Sequence, residues 1–158
     1  MNIGQSILDA VVLALECYDL DVPDRVFVGF DEPPQDCCPE LVCWLGNVRT
    51  WDGEFPDTRL TTDLKMSIGY AIDCTVRIGR CYVDVDENGT PMDAAILADW
   101  TQALYADASA LYFGFIHQWQ AGYVTELSAC DLLTVGGLTQ YNDGGCAGHQ
   151  FTITVGVF

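Results

Sequence analysis

Leu64-Lys65-Met66-Ser67-Ile68-Gly69-Tyr70-Ala71-Ile72-Asp73-Cys74-Thr75-Val76-Arg77-Ile78 is the stretch that decides the fold. Leu64, Met66, Ile68, Tyr70, Ile72, Cys74, Val76 and Ile78 alternate without a miss, and Lys65, Ser67, Gly69, Ala71, Asp73, Thr75 and Arg77 fill the other face. A period of two over this length predicts a strand with one buried side. After Gly79 the phase inverts, with Cys81, Val83 and Val85 apolar. A one-residue slip exchanges the faces, so the pattern predicts a bulge near Gly79. Such a strand spans about 50 Å at ~3.4 Å per residue. It is therefore expected to bend or to reach beyond its own domain.

Upstream, Ile3 to Tyr18 reads as a helix, with Ile7, Leu8, Val11, Val12 and Leu15 at helical spacing. Asp21-Val22-Pro23-Asp24 breaks it, and Arg25 to Phe30 is a short strand. Asp31 to Glu40 holds three prolines and four acids and reads as an exposed loop. Leu41 to Val48 is a second strand, and Asn47 to Asp63 a long loop or extended hairpin. Downstream, Asp84 to Gly89 is a turn. Thr90 is the expected N-cap of a long helix running from Pro91 to about Phe113, or on to Gln120. Its expected core stripe is Ile96, Leu97, Trp100, Ala103, Leu104, Ala108 and Leu111, and Gly122 ends it. Asp131 to Tyr141 and His149 to Val157 read as strands joined by the turn Asn142-Asp143-Gly144-Gly145. Nothing splits residues 1–158 into two units. The expected class is α/β of the α+β kind: a mainly antiparallel mixed sheet with the N-terminal helix and the long helix on one face.

Composition narrows the function. Half of the 158 residues are hydrophobic and mean hydropathy is +0.18, which excludes disorder. No apolar run approaches the ~20 residues of a membrane span. The first Arg is Arg25, so the start of the chain lacks the basic region of a signal peptide. Assembly in a cytoplasm is the expectation. Net charge is −17, and the last 78 residues carry nine carboxylates and no Lys or Arg. Tight binding to phosphate backbones needs Lys and Arg to displace counterions, so high-affinity nucleic-acid binding is excluded. Acidity suits either plain solubility or a surface that DNA passes without sticking.

The chemical motifs are weak. Asp84-Val85-Asp86-Glu87-Asn88-Gly89 matches the first half of a calcium loop, but Ala95 stands where the bidentate Glu belongs. Cys37, Cys38 and Cys43 lack the paired spacing of a zinc site. His117 and His149 are the only histidines, and no cysteine sits in a recognisable nucleophile elbow. No catalytic, metal or cofactor site is assigned. The eight cysteines fall short of a disulfide scaffold, and their default state is reduced unless an extracellular particle oxidises later. Gly144-Gly145-Cys146-Ala147-Gly148 lacks the Lys and Ser/Thr of a phosphate loop and reads as a hairpin turn needing positive φ. Trp51, Phe55 and Arg59 are candidate interface anchors, with local packing as the competing role.

Three features together carry a family resemblance. One is Thr75-Val76-Arg77-Ile78-Gly79-Arg80-Cys81, followed by the acidic loop Asp86-Glu87-Asn88-Gly89-Thr90-Pro91 and a long helix; the others are Gly144 to Val155 and the scatter of cysteines in an acidic chain. The chain resembles the tail terminator or head-to-tail connector proteins of long-tailed phages of actinobacterial hosts. The resemblance implies a hexameric ring that caps the completed tail tube, docks the head connector protein and lets DNA pass through its lumen. It implies a virion location and no membrane. It adds Arg77 and Arg80 to Trp51, Phe55 and Arg59 as candidate inter-subunit or tube contacts. Stopper, adaptor and tail tube proteins are the neighbouring alternatives. A cysteine-dependent enzyme and a calcium module are the alternatives of other classes.

Overall fold

The structure is a computed structural model, and it describes residues 2–34, 39–51, 69–81, 90, 92–122, 132–143 and 145–157. The expected helix 1 forms as α1, Ile3–Cys17, because both ends are closed. Asn2 accepts the Gln5 N–H at 3.2 Å, which satisfies one orphan donor of the first turn. At the other end Asp19 takes φ +56°. Leu20 N–H then reaches Leu15 O at 3.0 Å and Asp19 N–H reaches Glu16 O at 3.0 Å. This is the two-bond closure that usually uses glycine. Ile7, Leu8, Val11 and Leu15 are fully buried.

Six strands form one mixed sheet: β1 (Arg25–Gly29), β2 (Glu40–Trp51), β3 (Gly69–Cys81), β4 (Leu132–Val135), β5 (Thr139–Asp143) and β6 (Cys146–Val157). Their order is β1-β2-β3-β6, with β4 and β5 both on the outer edge of β6. All pairings are antiparallel except β1 with β2. β2 therefore starts beside the start of β1, with Arg25 opposite Glu40. The expected strand Asp131 to Tyr141 is thus two strands, interrupted at Gly136-Gly137. The hairpin joining β5 to β6 has the two-residue loop Gly144-Gly145, with Gly145 at φ +96°, as a tight hairpin requires.

The alternation in β3 puts Cys74, Val76 and Ile78 in the core beside Leu41, Cys43, Phe151, Ile153 and Val155. Residues 64–68 of the predicted strand lie outside the described residues. No bulge occurs at Gly79: β3 pairs with β6 without a break from Tyr70↔Val157 to Cys81↔Cys146. The irregularity lies instead in β2, where Gly46 and Asn47 oppose the single residue Asp73. Gly79 and Gly148 face one another across β3 and β6. A Cβ on them would lie 2.6 Å and 2.9 Å from the Tyr141 hydroxyl. The two glycines make a trough, and Tyr141 lies in it and donates to Ile78 O at 3.3 Å.

The long helix starts later than expected. Asp93, not Thr90, is the N-cap of α2 (Ala94–Ser109) and accepts the Ala95 N–H at 2.7 Å. An aspartate caps at least as well as a threonine. The rod continues through a π-helical turn, Ala110–Gly114, into α3, Phe115–Gln120. Gly114 is where it crosses α1: a Cβ there would meet the Ala14 Cβ at 2.8 Å. Gly122, at φ +71°, ends the rod as expected. With α1 and the second half of this rod on one sheet face, the fold is α+β. No described helix is long and apolar enough to cross a membrane.

A Cβ at Gly148 would sit 1.9 Å from Ile78 O, a backbone atom that cannot swing away. Gly148→Ala is expected to destabilise by about 3 kcal/mol or more. Gly137→Ala, with nothing within 4 Å, should stay within about 0.5 kcal/mol. Urea unfolding of the two variants measures the contrast.

Candidate functional site

The sheet face away from the helices carries the most unusual group in the molecule. Arg77 projects from mid-β3 and is fully buried. Its Nη2 donates to Glu40 Oε1 at 2.9 Å and to Pro33 O at 3.1 Å. Glu40 is 2 % exposed. Glu32 stands 3.6 Å from Nη1, and the guanidinium lies over the rings of Trp44 and Tyr141 at 5.4 Å and 5.9 Å. An unpaired charge at this depth costs several kcal/mol. The ion pair, the carbonyl and the two aromatic faces offset that cost together. Pro33 belongs to the segment that returns from β1 to β2. Arg77 therefore ties that crossover to the sheet.

This arrangement corrects one expectation. Arg77 is not available as a contact residue for a neighbouring subunit, because the crossover and Tyr141 cover it. Arg80 is also committed: it grips the Asp107 carboxylate through Nε and Nη2 at 2.9 Å and 2.8 Å and reaches Asp21 O at 2.8 Å. It joins β3 to α2. Trp51 is the last residue of β2. Phe55 and Arg59 lie outside the described residues, as do the half calcium loop at 84–89 and Cys37, Cys38 and Cys130. Among the described residues, no cluster of three His, Cys, Asp or Glu is placed to hold a metal.

The thiols and histidines are placed structurally. Cys43 and Cys74 are fully buried on the core face. Their mutual hydrogen bond, with burial second, pushes the Cys43 thiol far above its usual range, and the same bond, against burial, lowers Cys74, as expected when one buried sulfur donates its proton to the other. His117 is exposed on α3. His149 is buried, with Nε2 donating to Leu104 O at 2.9 Å. Its Nδ1 has no partner among the described residues. Burial lowers its pKa from 6.5, against smaller raising effects of the Leu104 carbonyl and Asp107.

The surface that sequence reasoning missed is the outer side of the long helix. Of the seven residues expected in its core stripe, only Leu104 and Leu111 are buried. Ile96 and Ala103 are exposed, and Leu97, Trp100 and Ala108 are half-covered. Tyr105 and Phe113 are 70 % and 65 % exposed. Beside them a cavity of about 310 Å³ opens between the helix and the β4–β5 connection, lined by Tyr105, Ala108, Tyr112, Phe113 and Leu138. The stripe was legible; that the chain leaves its first half uncovered was not. No known family model matches the chain, and no curated protein matches it.

Two variants separate the roles. Arg77→Met leaves Glu40 buried without its strongest partner and should cost about 3–5 kcal/mol, read as a lowered midpoint in chemical denaturation. For His149, the unfolded chain binds the proton more readily than the folded one. Its contribution is therefore complete above pH 6.5 and is lost as pH falls below that, by at most about 1.4 kcal/mol per pH unit. Unfolding free energies at pH 7.5 and 5.0 should diverge less in His149→Gln than in the parent.

Proposed function

We propose that the protein is a virion structural protein: a ring-forming neck component, best placed as the tail terminator of a long-tailed phage. In this reading copies of the chain close head-to-tail into a ring of about six, since head-to-tail contacts give rings when the rotation closes. The ring caps the tail tube and receives the head connector, and DNA passes through its lumen.

The observation that carries the reading is the half-used helix. A helix with an apolar stripe buries it against something. In this chain Leu104 and Leu111 are buried in the fold, while Ile96 and Tyr105 stand exposed on the same helix. An apolar helix flank of that kind is a protein-contact surface. Charge supports the second half of the reading. Net charge is −17, and Arg25, Arg49, Arg77 and Arg80 each hold an acidic partner within the chain. Little positive potential is left to retain a passing polyanion.

The test is the mass distribution of the purified chain over a concentration series, with negative-stain images of the large species. Closed rings are the expected result. Long filaments would instead assign a tube protein. Ile96→Asp changes an exposed residue and should leave the monomer folded while weakening association by about tenfold or more. A persistent monomer at every concentration, unchanged by Ile96→Asp and by added tail tubes, would overturn the proposal.

A further inference from the structure

We propose that Cys81 and Cys146 are a redox modification site: a dithiol that closes into a disulfide across β3 and β6 when the protein meets a low-molecular-weight disulfide. The two are register partners at the end of the β3–β6 ladder, and both are thiols in this structure. Directly opposed residues of antiparallel strands have Cα atoms about 4.5–5.5 Å apart. That lies inside the roughly 4.4–6.8 Å that a disulfide spans. The other close thiols fail the same comparison. Cys43 is opposite Val76, and Cys74 is opposite Leu45, so they are diagonal neighbours about 7–8 Å apart. At that separation a pair shares a hydrogen bond but does not bridge without backbone movement.

Access sets the order of events. Cys146 is 4 % exposed, whereas Cys81 is half-covered. The Cys81 thiolate attacks the small disulfide, forms a mixed disulfide and expels one small thiolate. The Cys146 thiolate then attacks the Cys81 sulfur, and the second small thiolate leaves. Two protein thiols are oxidised, one small disulfide is reduced to two thiols, and the two protons pass to solvent or to the leaving thiolates. The bond clamps the end of the central ladder and closes a loop holding α2, α3, β4 and β5. Only its timing rests on the virion reading: a particle that leaves a reducing cytoplasm acquires the clamp after folding.

The experiment treats the reduced full-length protein with oxidised glutathione, quenches with acid, alkylates in denaturant and maps peptides by mass. The expected result is a Cys81–Cys146 peptide pair, formed about tenfold or more faster in the folded chain than in urea, because the fold holds the partners together. The product should melt at higher temperature than the reduced protein. Cys146→Ser should stop at one glutathione on Cys81, and Cys81→Ser should give neither an adduct nor a cross-link at the buried Cys146. The proposal is overturned if the pair is absent, if it forms no faster in the folded chain, or if Cys81 keeps its glutathione in the parent protein. The parent alone decides the matter should either serine variant fail to fold. Ring assembly is not part of the readout, so the result stands apart from the test of the proposed function.

Discussion

The buried guanidinium of Arg77 is the constraint around which the open face of the sheet is organised. A charge with no exposed surface is costly unless it is paired; here only Nη2 of the guanidinium is hydrogen-bonded among the described residues, and the neighbouring elements supply the rest of the compensation. β2 supplies Glu40 and Trp44, the β1–β2 crossover supplies the Pro33 carbonyl and Glu32, and β5 supplies Tyr141. Tyr141 reaches its place only because Gly79 and Gly148 leave no side chains beneath it. One arginine thus links the parallel β1–β2 pair, the antiparallel β2–β3–β6 centre and the outer hairpin. The apolar core on the other face binds the helices to the sheet but does not hold the segment that carries Glu32 and Pro33.

How much of this was legible depends on how local the deciding contact is. α1, β1 and the core face of β3 from Ile72 to Ile78 follow from periodicity within a few residues, and they form where the pattern puts them; at the start of β3 the pattern fails, since Tyr70 is exposed and Ala71 is buried. Gly79 was ambiguous because a glycine in a strand signals either a bulge or a close approach, and the group that approaches, Tyr141, is remote in sequence. Arg77 reads as an outward residue because it alternates with Val76 and Ile78. Only the crossover makes its face an inside. The parallel pairing of β1 with β2 was invisible for the same reason, since the proline-rich sequence between them reads as a loop and not as a crossover helix. Thr90 and Asp93 both make good caps, and nothing in the sequence ranks them.

The candidate surface was half legible. The apolar stripe of the long helix is plain in the sequence, but a stripe does not say whose core it enters. The geometry divides it. Around Leu111 and Phe115 the rod packs on α1 and the sheet, with Gly114 against Ala14 setting the closeness of the crossing. Before Leu104, Ile96 and Ala103 are exposed and Leu97 and Trp100 half-covered. Arg80 and Asp107 bind that transition to β3 through two hydrogen bonds, so the exposed half is held at a fixed angle rather than left to fray. A rigidly held apolar helix suits a contact made the same way by every copy.

The proposed ring has to overcome the chain's own charge. With 23 acids against six cations, and with the described arginines paired inside the monomer, neighbouring copies repel one another. In the proposed head-to-tail ring, net charge thus opposes the approach of one copy to the next. The attraction must come from apolar area, which is insensitive to salt screening, while the repulsion falls as the Debye length shortens from about 30 Å at 0.01 M to about 8 Å at physiological ionic strength. Assembly should therefore strengthen as salt rises through this range, the reverse of a contact built on ion pairs. That sign follows from where the arginines are. Had Arg77 and Arg80 faced outward, as their place in the sequence suggests, salt would have weakened the same contact.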